Sequence, residues 1–462
     1  MSSTAYAHFI GIGGAGMSGI ARVLHDRGIA VTGSDLRESR YSHALREAGI
    51  PVAIGHAAAN LGEPEVVVIS SAIPDTNPEL VEARERGLPI WPRAKMLAHL
   101  AGKRRTIAVA GTHGKTTTSS MVATMLSGLD LDPTYLIGGE VCEFGTNAAC
   151  GTGDYYVVEA DESDGSFLYL DPTVSVITNV EADHLDHYGT LAAVEEIFEE
   201  FAGRTVPDGA VVVCADDERA MTIARSSGAR MVTYGCSAQA DVRCDDLVPY
   251  GAGHSFTVTL RDGVSCAASI GVPGTHNVLN ATAGLAVAYA LGLDVAAAAA
   301  ALAGFAGVKR RFDQLGEAGG VRVVDDYAHH PTEVRATLAA ARAVGAQRVS
   351  VVFQPHRYSR TAALATEFGE AFGDADRVIL MEVYSAGETP IPGVTGRTLL
   401  EELLLCDPRA RVTYLPHRSD IPVYLASSSR EGDLIITMGA GDVTALGPEI
   451  LRALTDEIGV TR

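Results

Sequence analysis

The segment TIAVAGTHGKTT, residues 106–117, decides the fold class of this chain. It places an apolar run directly before a glycine-rich loop and the start of a helical pattern. Glycines let backbone N–H groups turn toward phosphate oxygens, and the N-terminus of the next helix adds positive potential. We therefore predict a strand, a nucleotide-binding loop and a helix. The loop residues assigned to the nucleotide are Gly111, Thr112, His113, Gly114, Lys115, Thr116 and Thr117.

Two side chains of this loop carry the predicted chemistry. Lys115 is expected to reach the terminal phosphates of a nucleotide, and the hydroxyl of Thr116 is expected to bind a magnesium ion. Val109 stands six residues before Lys115, where the standard phosphate-loop motif has glycine. A chance match of this short motif is the alternative interpretation.

Short apolar runs alternate with helical patterns on both sides of this segment, which is typical of parallel strands joined by crossover helices. A chain of 462 residues is also too long to fold around a single hydrophobic core, since such cores stop growing at roughly 250 to 300 residues. We predict an α/β protein of three domains: Rossmann-like at 1–102, P-loop ATPase-like at 103–314 and Rossmann-like at 315–462. The central sheet is expected to be mostly parallel, with an antiparallel extension in the β-rich stretch 231–272.

Composition excludes several classes of partner. The 57 acidic and 36 basic residues give a net charge of -21, which repels nucleic-acid phosphates and anionic lipid head groups. The longest apolar run, Val295 to Val308, is alanine-rich, predicts a helix and is too short to cross a membrane. The seven cysteines contain no C-x-x-C pair, so neither a disulfide framework nor a zinc site is indicated. We expect a cytoplasmic protein with no nucleic-acid or membrane partner.

A second glycine turn, GIGGAGMS at residues 11–18, also follows a strand and opens a helix. It predicts a diphosphate at the helix N-terminus, with Asp35, about 20 residues on, as a ribose ligand. A nicotinamide dinucleotide and a UDP-sugar fit this pattern equally well, but a dehydrogenase has no use for the second phosphate loop at Lys115. The residues assigned to this ligand are Gly13, Gly14, Ala15, Gly16, Met17, Ser18 and Asp35, together with Ser70 and Ser71 at the end of a later strand.

Polar residues follow two further apolar strands. Residues 155–158 lead into Glu159, Asp161 and Ser163, and residues 174–178 lead towards His184. Because carboxyl ends of parallel strands meet at one edge of a sheet, Glu159 and His184 should lie near the phosphate loop. With Thr116 they would suit Mg²⁺ or Mn²⁺. A hydrogen-bonded structural histidine is the alternative for His184.

Basic residues are concentrated in two segments of this acidic chain, residues 309–312 and 356–360, and arginine suits bidentate binding of phosphate or carboxylate. Surface clusters paired with acids are the alternative. Two adjacent histidines, His329 and His330, end the segment that begins at Asp325. His276 and Asn277 precede an apolar helix and fit a helix start as well as a ligand site.

These motifs, in this order, resemble those of the Mur ligases from Gly11 to about Arg360. The segments that carry the resemblance are 13–18, 111–117, 159–163, 276–277, 310–312, 326–331 and 356–360. The resemblance implies a UDP-sugar-binding domain, a central ATPase and a C-terminal domain that brings an amino acid. It further implies that Glu159, Asp161 and Ser163 contact substrate.

The resemblance also assigns roles to residues near the nucleotide and the amino acid. Asn277, with His276, would hold the adenine side, and Arg311 with Asp326 would complete the nucleotide cleft. Catalytic roles would fall to Lys115, His184, His329, Arg357 and Arg360. ATP and Mg²⁺, with Mn²⁺ as an alternative metal, are the implied cofactors.

Two departures narrow the resemblance within the family. Ala328 stands where many relatives have glycine, and residues 185–201 contain no lysine, so we predict no lysine carbamate. The second departure is consistent with the branch that joins L-alanine to UDP-N-acetylmuramate. Separately, we expect a monomer or weak homodimer. The alternatives are a recycling ligase that adds a ready-made tripeptide, a nicotinamide-dependent oxidoreductase and a silent nucleotide-binding regulator.

Overall fold

A computed structural model of the chain describes residues 6–163, 165–183 and 185–460. The chain divides into two compact units. Unit 1 comprises the described residues of Met1–Asp246, Phe256–Ala268 and Leu279–Phe305, and unit 2 comprises those of Leu247–Ser255, Ser269–Val278 and Ala306–Arg462. Three sheets, each flanked by helices in the sequence, confirm the predicted three-domain α/β class.

The first sheet lies in unit 1 and has five strands in the order β3-β2-β1-β4-β5, all paired in parallel. Its strands are β1 (Tyr6–Ile10), β2 (Ala30–Asp35), β3 (Val52–Ile54), β4 (Val66–Ile69) and β5 (Ile90–Pro92). The helices between them are α1 (Ala15–Asp26), α2 (Arg40–Glu47), α3 (Pro78–Glu85) and α4 (Arg93–Ala101), with a 3-10 turn at Ala58–Asn60. Buried apolar residues run along β1 and β4, because helices cover both faces of a parallel sheet.

The second sheet has ten strands in the order β15-β14-β13-β12-β11-β10-β6-β9-β7-β8. They are β6 (Arg105–Ala110), β7 (Thr134–Val141), β8 (Thr146–Ala149), β9 (Tyr155–Glu159), β10 (Val174–Ile177), β11 (Ala210–Cys214), β12 (Met231–Gly235), β13 (Val242–Tyr250), β14 (Gly253–Leu260) and β15 (Ser265–Ile270). The helices are α5 (Lys115–Gly128), α6 (Leu185–Tyr188), α7 (Leu191–Gly203), α8 (Glu218–Ser226), α9 (Thr275–Leu291) and α10 (Val295–Leu302), with a 3-10 turn at Ser166–Tyr169.

The middle of this sheet is parallel, and β8 pairs antiparallel with β7 at one edge. Strands β13 to β15, which come from the β-rich stretch predicted at 231–272, lie at the other edge. The alanine-rich helix α10 ends at Leu302 and is shorter than the run that predicted it. Two glycines follow it, at 304 and 307, and glycine is a poor helix former.

The third sheet lies in unit 2 and has six strands in the order β16-β17-β21-β18-β19-β20. They are β16 (Asp313–Ala318), β17 (Val321–Asp326), β18 (Arg348–Phe353), β19 (Arg377–Leu380), β20 (Val412–Tyr414) and β21 (Asp433–Met438). The helices are α11 (Pro331–Ala343), α12 (Tyr358–Ala363), α13 (Ala365–Gly369), α14 (Gly396–Cys406), α15 (Asp420–Ser428) and α16 (Leu446–Val460), with a 3-10 turn at Asp442–Ala445. Strand β16 runs antiparallel to β17, whereas β17, β21, β18, β19 and β20 pair in parallel along the sheet.

The order of the strands in the second sheet brings several predicted site residues of unit 1 to one edge. Strand β6 pairs in parallel with β10 on one side and β9 on the other, so the carboxyl ends of all three meet at one edge. The glycine-rich loop leaves β6 at this edge, Glu159 ends β9, and Thr178 follows β10. Within the described part of the chain, no helix combines the length and apolar character needed to cross a membrane.

Candidate active site

The loop between β6 and α5 depends on two glycines with positive φ. Gly111 has φ +133° and Gly114 has φ +82°, a region that side chains other than glycine rarely adopt. A Cβ atom at Gly111 would lie 2.0 Å from Thr178 Oγ1, and one at Gly114 would lie 2.6 Å from Asn280 Oδ1. Both positions therefore require glycine for conformation and for space, as the phosphate-loop prediction supposes.

Residues after β10 hold this loop in place. Thr178 Oγ1 donates to His113 O at 2.6 Å, and the N–H of His113 donates to Asn179 Oδ1 at 2.8 Å. The backbone N–H of Thr112 donates to Asn179 O at 3.0 Å. The loop is thus fixed before any ligand arrives, which lowers the entropy cost of binding. Thr178 and Asn179 were not among the predicted site residues.

Lys115 is held at the start of α5 by three acceptors. Its Nζ donates to Gly111 O at 2.6 Å, to Thr112 O at 3.2 Å and to Glu162 Oε1 at 2.7 Å. Burial alone would lower the pKa of Lys115, but the carboxylates of Glu162, Asp161 and Glu159 raise it above its usual value. Lys115 is therefore a largely buried cation whose ammonium lies against the loop backbone.

Glu162 is the partner that sequence reasoning missed. Burial raises the pKa of its carboxyl to about 7, with a further rise from Asp161 and an opposing effect of Lys115. The backbone N–H of Ser163 donates to Asp161 Oδ1 at 3.0 Å, which fixes the turn that carries Glu162. Its position one residue after Asp161, in the polar run that follows β9, was the available signal.

Thr116 and Glu159 form a pair of oxygen donors beside Lys115. Thr116 Oγ1 donates to Glu159 Oε1 at 3.2 Å, and the N–H of Gly138 donates to Glu159 Oε2 at 2.7 Å. A hydroxyl and a carboxylate are ligands that Mg²⁺ accepts when phosphate oxygens supply the rest of its shell. His184, the third predicted metal ligand, lies outside the described residues, so its role stays a prediction.

The N-terminal glycine turn is tied to the end of β2. The N–H of Gly13 donates to Asp35 Oδ2 at 2.9 Å, and Ser39 Oγ donates to Gly13 O at 3.0 Å. Gly14 precedes α1 as its N-cap, and Ser18 Oγ donates to Ala15 O at 3.0 Å. In the structure Asp35 thus anchors the turn, in addition to the ribose role predicted for it.

A cavity of about 320 Å³ joins this turn to the end of β9. Seven predicted residues line it: Gly14, Ala15, Gly16, Met17, Ser70, Glu159 and Asp161. Five others assigned to the same ligand are not among its lining: Gly13, Ser18, Asp35, Ser71 and Ser163. Arg93 and Asn147 also line the cavity and were missed, since neither stands in a recognisable motif. Asn147 Nδ2 donates to Ala15 O at 3.2 Å.

Unit 2 contains a second set of predicted residues around Asp326. This carboxyl accepts hydrogen bonds from the N–H groups of Phe312 at 2.7 Å and Ala328 at 2.8 Å. Burial raises the pKa of Asp326 to about 6, although Arg311 opposes the rise. Arg311 Nη1 lies 3.6 Å from a carboxylate oxygen of Glu333.

The first turn of α9, which contains His276 and Asn277, and the paired histidines also lie in unit 2. Burial, followed in size by the charge of Arg311, lowers the pKa of His276 to about 4, so this imidazole is neutral at pH 7. Asn277 Nδ2 donates to Pro273 O at 2.7 Å. His329 Nδ1 lies 3.0 Å from Tyr327 O, and the backbone N–H of His329 donates to Glu333 Oε2 at 3.0 Å.

The segment after β18 places its two arginines at the start of α12. Arg357 precedes the helix with φ +67°, and its N–H donates to Tyr384 O at 2.8 Å. Arg360 lies in the helix, one residue after Ser359, whose hydroxyl donates to Glu388 Oε1 at 2.6 Å. The His356 ring stands 5.7 Å from that of His329, so the two predicted segments of unit 2 meet.

Three family models match the chain in succession. They are described as the Mur ligase family catalytic domain at residues 6–105, the Mur ligase middle domain at 109–288 and the Mur ligase glutamate ligase domain at 310–441. Together they cover most of the chain, and their order is that of the three sheets.

Individual relatives match nearly end to end. The UDP-N-acetylmuramate–L-alanine ligase of Acidothermus cellulolyticus is 50% identical over 452 residues, which cover 97% of this chain and 94% of the relative. The crystal structure of UDP-N-acetylmuramate-alanine ligase MurC from Thermotoga maritima is 31% identical, with a TM-score of 0.81 over 99% of this chain and 100% of that one. A murein peptide ligase from Psychrobacter arcticus is 26% identical, with a TM-score of 0.73 over 98% of this chain and 99% of that one.

Proposed function

Because the chain belongs to the Mur ligase family, we propose that it joins L-alanine to the lactyl carboxylate of UDP-N-acetylmuramate, with ATP converted to ADP and phosphate. This step builds a peptidoglycan precursor. The observation that carries the proposal is the cavity where the N-terminal glycine turn meets Glu159 and Asp161. One cavity is lined both by this glycine turn and by two acids at or just after the end of β9, a strand that pairs with β6 before the phosphate loop.

The UDP-sugar is assigned to the N-terminal side of this cavity. The N-terminus of α1 favours the diphosphate, and Arg93 adds a positive side chain to the same lining. Asp35 holds the turn through Gly13 and keeps its predicted role toward the ribose. The sugar's carboxylate would then point toward the end of β9. The assignments of Ser18, Ser70, Ser71 and Ser163 to this substrate are part of the same proposal.

ATP is assigned to the loop after β6. Its backbone N–H groups and Lys115 would hold the phosphates, while Lys115 neutralises charge on the phosphoryl group that moves. Thr116 and Glu159, with His184 as proposed third ligand, would hold Mg²⁺, which supplies charge neutralisation at the phosphates when bound. The sugar carboxylate attacks the γ-phosphate, and the resulting acyl phosphate is the electrophile for the amine.

The remaining assignments concern residues of unit 2. We assign His276, Asn277, Arg311 and Asp326 to the nucleotide, and His329, Arg357 and Arg360 to the intermediate and L-alanine. Two features support them: the neutral imidazole of His276 and the contact between the His329 and His356 segments. The amine of alanine must lose its proton before it attacks, and the phosphate leaves when the tetrahedral intermediate collapses. A cytoplasmic location and a monomer or weak homodimer remain predictions.

A second candidate is addition of a ready-made peptide to the same sugar, because a murein peptide ligase is similar over almost the whole chain. The alanine ligase from Thermotoga maritima is more similar in both sequence and structure, which favours L-alanine as the acceptor. An oxidoreductase is disfavoured because three Mur ligase models match in succession.

The test is phosphate release from ATP by the purified protein with UDP-N-acetylmuramate and Mg²⁺. We expect release to depend on the sugar and on L-alanine together. The acceptors compared are L-alanine and the tripeptide. Release that requires the tripeptide would reassign the acceptor, and no release with either would overturn the proposal.

A further inference from the structure

Two cysteines outside the proposed active site touch each other. Cys236 Sγ and Cys244 Sγ lie 3.3 Å apart, and both are free thiols. Cys236 is exposed, whereas Cys244 is buried. Since a disulfide bond is about 2.0 Å long, the sulfurs need to approach by only about 1 Å to form one.

The sheet register explains this closeness. Strands β12 and β13 are parallel neighbours, with Tyr234 opposite Val242 and Gly235 opposite Arg243. The next positions along this register are Cys236 and Cys244. Neighbouring strands lie about 4.8 Å apart, which falls within the usual Cα separation of roughly 4.4 to 6.8 Å for a disulfide.

A carboxylate fixes the exposed member of the pair. Asp216 accepts a hydrogen bond from the N–H of Cys236 at 2.7 Å and another from the N–H of Ser237 at 2.9 Å. The backbone at Cys236 is therefore anchored, and the short distance between the sulfurs does not depend on a loose loop. Such anchoring favours closure of the pair over reaction with a distant thiol.

The buried member is connected to the phosphate loop. Cys244 shares a hydrogen bond with Thr282 of helix α9. Two residues earlier in α9, Asn280 Oδ1 accepts from Thr118 Oγ1 at 3.2 Å and lies against Gly114. A disulfide with Cys236 would change the sulfur that hydrogen-bonds to Thr282, on the helix whose Asn280 lies against the loop at Gly114.

We propose that Cys236 and Cys244 are a redox modification site, in which a two-electron oxidant such as hydrogen peroxide forms a reversible disulfide that weakens ATP binding. The exposed Cys236 thiolate attacks one peroxide oxygen and becomes a sulfenic acid, and the other oxygen leaves as water after protonation. The sulfur of Cys244 then displaces the hydroxyl from Cys236 Sγ. The two thiols lose two electrons and two protons, and hydrogen peroxide becomes two waters.

The two thiols have different roles in this reaction because their surroundings differ. Burial raises the pKa of Cys244 to about 12, so its thiol is slow to attack an oxidant from solution. Its position 3.3 Å from Cys236 Sγ favours attack on the sulfenic acid there, and the Cys244 proton leaves with the displaced hydroxyl as water. Reduction begins at the exposed sulfur: an external thiolate attacks Cys236, Cys244 is released, and a second thiol completes the reduction.

Trypsin provides a direct test, because cleavage after Arg230, Arg243 and Arg261 puts the two cysteines on separate peptides. The full-length protein is treated with hydrogen peroxide, alkylated, digested and analysed by mass spectrometry. We expect a cross-linked pair, 231–243 joined to 244–261, with the loss of two hydrogen atoms and full reversal by dithiothreitol. Cys236→Ser should abolish the pair, and Cys406→Ser, which removes another exposed thiol, should retain it. Oxidation that stops at sulfinic acid on Cys236, without the pair, would overturn the proposal.

ATP binding is measured on the same samples by calorimetry, which does not depend on the ligase reaction. The oxidised protein should bind ATP several-fold more weakly than the reduced protein. Peroxide-treated Cys236→Ser should bind ATP as the reduced protein does. Equal affinity of the oxidised and reduced proteins would overturn the link to the nucleotide loop.

Discussion

Lys115 Nζ lies 2.7 Å from Glu162 Oε1 at the edge where β6 and β9 end, and the Glu162 side chain is buried while that of Lys115 is 15% exposed. A buried ion pair of this kind is costly to break from one side, because it leaves the other charge without compensation. The pair also keeps the Lys115 ammonium against the loop backbone, and bound phosphates would add a second set of anions to its surroundings.

Replacing Lys115 with alanine should lower kcat for phosphate release by roughly 100-fold or more, since the charge that opposes the moving phosphoryl group is lost. Circular dichroism checks that the variant is folded. Lys103→Ala removes an exposed lysine of the same unit and is the matched control. Similar rates for both variants would rule out the role given to Lys115.

Glu162→Gln should change how stability depends on pH. Burial raises the pKa of Glu162 from 4.5 to about 7, so the folded chain binds more protons than the unfolded chain between these values. The free energy of unfolding should therefore fall as the pH rises from about 4.5 to 7, and Glu162→Gln should lose this component of the slope. Urea unfolding at pH 5 and pH 8 measures the effect. The prediction would be contradicted if the free energy of unfolding changed equally between pH 5 and pH 8 in the unchanged protein and in Glu162→Gln.

Thr116 offers a matched pair of substitutions for the metal site. Thr116→Ser keeps the hydroxyl that contacts Glu159, whereas Thr116→Val keeps the shape and removes the oxygen. We expect the Mg²⁺ concentration for half-maximal activity to rise by about tenfold or more in Thr116→Val, the effect of about 1.4 kcal/mol, and much less in Thr116→Ser. If both variants needed the same Mg²⁺ concentration for half-maximal activity, Thr116 would not be a metal ligand.

Asp35→Ala should weaken binding of the UDP-sugar without affecting ATP. Asp35 holds the turn through the N–H of Gly13, and a hydrogen bond to a charged group contributes about 1.5 to 3 kcal/mol. The KM for UDP-N-acetylmuramate should rise roughly 10- to 100-fold, while the KM for ATP stays unchanged. A matching rise in both KM values would show a general loss of structure instead.

Much of the fold could be predicted from local patterns. The strand that ends in Glu159 begins at Tyr155 as predicted, and the glycine turn at residues 11–18 opens helix α1 as predicted. An apolar run of this length is compatible with few structures other than a strand when a glycine loop and a helical pattern lie beside it. The alanine-rich run was predicted less well, because alanine favours a helix but does not mark its end.

Partners distant in the sequence could not be predicted. Asn280 contacts Thr118 across 162 positions, and Asn147 contacts Ala15 across 132. Neither asparagine stands in a motif, and no local pattern indicates which of several polar side chains will face a loop. Packing between elements that are distant in the sequence brings these residues together, α9 against α5 in the first case and β8 against α1 in the second.

The sequence by itself determined the conformation of the loop, because Gly111 and Gly114 are the residues that permit a positive φ and a close approach of backbone to phosphate. The tertiary structure decided which acid pairs with Lys115. Glu159, Asp161 and Glu162 stand within four positions at the end of β9 and just after it, and Glu162 Oε1 is the acceptor that lies 2.7 Å from Lys115 Nζ. That choice depends on the parallel pairing of β6 with β9 and on the turn after β9, which are fixed by packing rather than by the residues nearby in the chain.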